Sequence, residues 1–192
     1  MNLAFRTARL LALPLLALSS TVPAAAQTPK PAPAAKPSNA IIPLPLNPVI
    51  AAGQRLSSAK TASGLGYTVL RPGTGTKPAA ADIALVNYIG YLAATGAVFD
   101  QNVQSPLPID QVIPGFSEAL QTMNRTSVIR FCIPATLGYG ARESGPIPAN
   151  SDLVFQVELL DFKTAAEVAA MNGQPAPAPP PAAPEPAAPA KP

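Results

Sequence analysis

Apolar residues recur at every second position through four stretches of the chain, the period of a strand with one buried face. Leu65, Tyr67 and Val69 alternate with smaller or polar neighbours until Arg71-Pro72-Gly73, and Ile83, Leu85, Asn87 and Ile89 alternate against Ala84, Val86, Tyr88 and Gly90. Residues 128–133 place Ile129, Phe131 and Ile133 on one face; residues 153–162 place Phe155, Val157 and Leu159 on one face, with Gln156 and Glu158 opposite. Both predict half-buried antiparallel strands. Between them lies helical spacing: Phe116, Ala119, Leu120 and Met123 fall at i, i+3, i+4 and i+7, and Pro114 suits the first turn. Turn residues mark loops at 95–96, 104–108 and 138–149. The predicted fold is α+β, a twisted antiparallel sheet wrapped around one short helix. Aromatic side chains at the junction of helix and sheet would line an apolar pocket.

The flanks follow other patterns. Arg6 and Arg9, the apolar run 10–18 and the triplet Ala24-Ala25-Ala26 before Gln27 have the layout of a secretory signal peptide over residues 1–26. That run is far shorter than the roughly 20 residues that span a bilayer, so no membrane span is expected after cleavage. From 28 to 48, seven of 21 residues are proline; from 174 to 192, nine of 19 are proline and seven alanine. Proline removes backbone donors and alanine offers little apolar area, so both stretches are expected to be flexible, extended spacers that bury no core. The expected organisation is signal peptide at 1–26, linker and short pre-domain segment at 27–63, one compact domain at 64–163, and a helix-prone segment with a Pro/Ala-rich tail at 164–192. Nine of the ten aromatic residues lie in that domain.

Composition narrows the chemistry further. The 192 residues contain no histidine, which removes Ser-His-Asp and Cys-His nucleophiles and the HExxH zinc helix. One cysteine excludes an intramolecular disulfide and a cysteine-rich metal cluster. The net charge is +3, but the basic residues are scattered singly, so no nucleic-acid partner is expected. Removing Arg6 and Arg9 with the signal leaves 13 − 2 = 11 basic against 10 acidic residues, a nearly neutral chain. Gly115-Phe116-Ser117-Glu118-Ala119 lacks the second glycine of a nucleophile elbow, and Gly73-Thr74-Gly75-Thr76-Lys77 lacks the spacing of a phosphate loop. Cys132 reads as an unreactive thiol on the face opposite Phe131. The carboxylates lack metal-ligand spacing, so neither metal nor cofactor is expected. Asp100, directly after Phe99 and among apolar residues, reads as a loop cap or as a polar atom placed in a dry pocket.

Several segments then line up in series: 86–92 (VNYIGYL), 96–100 (GAVFD), 112–116 (VIPGF), Ile133-Pro134, 137–140 (LGYG), Ile147-Pro148 and 153–160 (LVFQVELL). In order and spacing they resemble the FKBP-type peptidyl-prolyl cis-trans isomerases over nearly the whole domain. That family's fold is a twisted antiparallel sheet curled around one short helix, in agreement with the pattern. The resemblance implies a prolyl-ring pocket of Tyr88, Phe99, Val112, Ile113, Phe116, Tyr139, Ile147 and Phe155, with Phe116 as its floor. It assigns substrate carbonyls to the Ile113 N–H and the Tyr139 hydroxyl, and a buried carboxylate to Asp100. Four features depart from the family pattern: Phe116 stands where tryptophan is common, Ser105 where an aromatic often closes the pocket, Thr126 near the usual glycine after the helix, and the 139–147 loop is about one residue shorter.

The implied activity is isomerisation of X-Pro bonds in unfolded or newly translocated polypeptides, with macrolide inhibitors as further ligands of the pocket. Such catalysis needs shape and dryness rather than an acid, a base or a metal, and a histidine-free chain can supply both. The expected compartment is outside the cytoplasm, a bacterial periplasm rather than an endoplasmic reticulum, because Ala190-Lys191-Pro192 is not a retention signal. The alternative keeps the fold but uses the pocket as a proline-recognising chaperone or adaptor with little turnover.

Overall fold

A computed structural model describes residues 34–43 and 49–173. The expected signal peptide at 1–26 and the tail beyond 173 lie outside the described residues. Six strands, β1 (Ala59–Lys60), β2 (Gly66–Arg71), β3 (Ile83–Leu92), β4 (Val98–Pro108), β5 (Val128–Ile133) and β6 (Leu153–Lys163), form one antiparallel sheet. Their order across it is β1-β2-β5-β6-β3-β4. Helix α1 (Pro114–Thr122) has Pro114 in its first turn, where the missing N–H has no intrahelical acceptor to lose. It buries Phe116, Ala119 and Leu120, with Met123 just beyond its end, against Val86, Ile129, Phe131, Val157 and Leu159 of the inner sheet face. Short helix α2 (Ala165–Met171) starts at a capping box in which Thr164 accepts from the Glu167 N–H and the Glu167 carboxylate accepts from the Thr164 N–H. This is the expected α+β architecture.

Two local expectations are overturned. Residues 104–108 were expected to form a loop but complete β4, despite Pro106 and Pro108. β4 is the last strand of the sheet and pairs only with β3, so a proline can stand where its absent N–H would face away from the ladder. The second difference is that β5 and β6 are not half-buried. Their outer-face residues Arg130 and Val154 are both 0% exposed.

The cover is the segment expected to bury nothing. Arg130 donates through Nη1 to the Ser38 carbonyl at 2.6 Å and through Nη2 to that of Ala40. The Gln156 side-chain amide accepts from the Ile42 N–H and donates to the Ile42 carbonyl, both at 2.8 Å. Ile42 and Ile50 then join Ile89, Tyr91 and Val154 in a second buried cluster. A proline-rich segment lacks donors but keeps its carbonyls, and a guanidinium, which only donates, is suited to meet them. Among the described residues no helix is long and apolar enough to cross a membrane.

Candidate functional site

Alternation along β3 sends Ala84, Val86, Tyr88 and Gly90 to the inner face, opposite Phe162, Leu159, Val157 and Phe155 of β6. The first turn of α1 brings Phe116 beneath them. Tyr88 and Phe116 meet edge to face with ring centroids 5.9 Å apart, Phe116 and Phe155 at 4.9 Å, and Phe99 and Phe155 at 5.4 Å. Such edge contacts suit the ring quadrupole. Gly90 is what lets two of these rings close: a Cβ there would stand 2.7 Å from both Phe155 Cε1 and Phe99 Cζ. The Ile113 carbonyl accepts from the Phe116 and Ser117 N–H groups at 2.9 and 3.0 Å, which fixes its peptide at the mouth of the helix.

Phe99 and Asp100 are neighbours in a strand, where alternation would send them to opposite faces. A register shift resolves this. Gly90 pairs with Asp100 and Tyr91 with Val98, so Phe99 is an extra residue on β4, a β-bulge. The Asp100 carboxylate accepts from the Tyr88 hydroxyl at 2.8 Å and from the Gln101 N–H at 2.8 Å. Asp100 is exposed, contrary to the buried carboxylate expected, because it sits on the edge strand with no further element outside it. The less exposed partner of this pair is the half-buried phenol ring. Burial, together with the hydrogen bond to Asp100, pushes the Tyr88 hydroxyl far above its ordinary range and keeps it a donor.

A cavity of about 300 Å³ opens between these groups, lined by Tyr88, Asp100, Leu107, Gln111, Val112, Ile113, Phe116, Tyr139 and Phe155. Seven of those nine residues were expected from the sequence. Phe99 and Ile147, also expected, do not line it: Phe99 packs behind Phe155, and Ile147 is 4% exposed within the core. Leu107 and Gln111 were missed as lining residues. The signal for Leu107 is its even spacing from Ser105 and Ile109, hidden once 104–108 is read as a loop. Tyr139 is 37% exposed and stands at the rim. Cys132 lies on the outer face, its Sγ 3.5 Å from the Arg55 carbonyl and its thiol pushed up by burial, as expected of an unreactive group.

A larger cavity, about 460 Å³, lies on the outer face between Ile41, Ile89, Val103, Val128 and Leu160. Its polar rim is tied up internally: Glu158 accepts from Arg71 and from Asn87. The inner cavity joins rings with polar groups at one rim, the form of a site for a small apolar group attached to a polar backbone.

The comparisons with known proteins point the same way. Residues 74–160 match the family model described as FKBP-type peptidyl-prolyl cis-trans isomerase. An FKBP-type peptidyl-prolyl cis-trans isomerase FkpA of Aeromonas hydrophila is 46% identical over 110 residues, 55% of this chain and 41% of the relative. The outer membrane protein MIP of Legionella longbeachae is 42% identical over 109 residues, 54% of this chain and 46% of the relative. The chain thus spans about half the length of the curated relatives it matches. Among solved structures, a peptidyl-prolyl cis-trans isomerase of Pseudomonas syringae pv. tomato superposes with a TM-score of 0.52 at 38% identity, covering 55% of this chain and 80% of that one.

Proposed function

The chain belongs to the FKBP-type peptidyl-prolyl cis-trans isomerase family, and we propose that it accelerates rotation about X-Pro bonds by enclosing the prolyl ring in the inner-face cavity. The observation that carries this reading is the meeting of Tyr88, Phe116 and Phe155, from three separated segments, in edge contact around a space of about 300 Å³. Phe116 and Phe155 would cradle the pyrrolidine ring, with Val112 and Ile113 at its side. The Ile113 N–H and the Tyr139 hydroxyl would donate to substrate carbonyls, and Asp100 would hold the Tyr88 ring in place. Phe99 and Ile147 would support this wall from behind.

The physical reason lies in the amide. Resonance holds the X-Pro bond planar behind a barrier of about 18–20 kcal/mol. The resonance form is charge-separated, and water hydrogen-bonded to the carbonyl favours it. A pocket of rings removes that water and destabilises the planar amide more than the twisted one, which has less charge to solvate. Each tenfold acceleration requires about 1.4 kcal/mol of preference for the twisted state. No proton need be transferred and no bond broken.

The unit that performs this is read as residues 64–163, with residues 38–42 packed on its back. Export is the favoured setting: residues 1–26 have the layout of a signal peptide, and one relative is named an outer membrane protein. Proline-containing polypeptides on the outer side of a bacterial inner membrane are the substrates this implies. Ser105 and Phe116, smaller than the family's usual aromatics, would weaken macrolide inhibitors more than turnover.

A protease-coupled assay on a short X-Pro-Phe peptide tests the reading. The wild type is expected to accelerate isomerisation, and Asp100→Leu to lower kcat/KM about tenfold while the fold persists, since the group is on the surface. Peptide binding without acceleration would replace the enzyme by an adaptor.

A further inference from the structure

Asp100 and Leu107 line the same cavity, yet they are seven residues apart on one strand. An odd separation puts two residues on opposite faces of a regular strand. The phase is corrected at one place. Val86 pairs with Ser105 but Tyr88 with Asn102, so Asn87 alone stands opposite both Val103 and Gln104. Gln104 carries φ 49°, in the left-handed region, which an L residue rarely adopts without support.

The support comes from the outer face. The Gln104 N–H, displaced from the ladder by the extra residue, donates to Asn87 Oδ1 at 2.8 Å. Asn87 Nδ2 in turn donates to Glu158 Oε2 at 2.9 Å, and the other Glu158 oxygen accepts from Arg71. A polar chain therefore runs from β2 through β6 and β3 to the bulge in β4. Asn87 touches neither the cavity nor its rings.

We propose that Asn87 is a positioning residue for proline turnover: acting from the back of the sheet, it pins the bulge that brings Asp100 and Leu107 onto the wall shared with Tyr88. This rests on the isomerase reading above. It assigns a role in turnover to a residue on the opposite face of β3 from the cavity. Without the bulge only one of Asp100 and Leu107 can face the cavity: with residues 105–108 held in register against 83–86 and the Ile109 N–H on the Asp82 carbonyl, it is Asp100 that turns from the Tyr88 hydroxyl, because register and face are coupled.

Four variants, compared with the wild type in two readouts, test it. Asn87→Leu is expected to lower kcat/KM about tenfold, and to move the Tyr88 13Cζ shift at neutral pH to its position in Asp100→Ala, where the hydroxyl has no carboxylate to meet. Asn87→Asp alone sets two carboxylates against each other and should behave similarly. Asn87→Asp combined with Glu158→Gln restores an acceptor for the Gln104 N–H and a donor facing it, and should recover both readouts. Should Asn87→Leu not fold, Asn87→Ser, too short to reach both partners, takes its place.

The proposal is overturned if turnover and Tyr88 shift stay at wild-type values in Asn87→Leu, if either one changes without the other, or if the double variant recovers neither. The Tyr88 shift needs no substrate. A wild type without turnover would sink the isomerase reading while the shift still reports whether Asn87 holds the bulge.

Discussion

On the inner face of the sheet the groups around the cavity are rings, the buried Phe116 and Phe155 and the half-buried Tyr88, which pack by shape and leave a hollow. On the outer face the buried groups include Arg130 and Gln156, which hold the backbone carbonyls of the segment that lies over them. The inner face is dry because its side chains are apolar. Around Arg130, Val154 and Gln156 the outer face is dry because residues 38–42 cover it. Burial on the first face is thus a property of the strand, and on the second a property of what lies over the strand. That division suits the chemistry: a cavity that must release product cannot be roofed by its own chain, whereas the back of the sheet can be closed permanently.

The largest effect is expected where the cavity and the core coincide. Phe116→Ala should lower stability by about 3–5 kcal/mol in urea unfolding and abolish measurable turnover, because the same ring is floor and core. On the other face, Arg130→Met should cost about 2 kcal/mol, as the Ser38 and Ala40 carbonyls lose their donors, with kcat/KM of the folded protein unchanged. Equal losses of turnover in the two variants would break the separation of faces.

Alkaline pH sharpens the contrast by a smaller step. Tyr91, 0% exposed under the covering segment, has its hydroxyl pushed up to about 12 by burial, with Arg130 partly opposing. An unfolded tyrosine ionises near 10, so this contribution to stability is complete below about pH 10 and is lost as pH rises from there through about 12. Tyr91→Phe should flatten the alkaline loss in a pH series of unfolding midpoints. At neutral pH it should be neutral or stabilising by up to about 1 kcal/mol, because the Tyr91 hydroxyl has no hydrogen-bond partner among the described residues. Tyr88 on the inner face, also raised, supplies the alkaline loss that remains.

The inner face was legible in the sequence. Period-two spacing of Tyr88, Phe131, Phe155 and Val157 follows from geometry that every strand shares, and the i, i+3, i+4, i+7 set from Phe116 to Met123 located α1. The rest was hidden for two reasons. Bulges at Phe99 and at Val103-Gln104 reset the alternation within β4, so Asp100 and Leu107 could not be assigned a face by counting, and the prolines made an edge strand resemble a loop. The covering segment was hidden because its contacts are made by carbonyls, which every residue carries. Nothing in Ser38, Ala40 or Ile42 announces that Arg130 and Gln156 will reach them. An arginine and a glutamine on one face of two neighbouring strands were the available hint, and polar residues on an outer face ordinarily meet water.

The central claim is that proline enters the inner cavity of about 300 Å³ and not the larger outer one. An NMR titration with a short X-Pro-Phe peptide, followed through backbone amide shifts, tests it directly. Entry into the inner cavity should give saturable shifts at Ile113, Phe116, Tyr139 and Phe155, with exchange between the cis and trans signals of the peptide. Shifts confined to Ile41, Val103 and Leu160 on the outer face would contradict it.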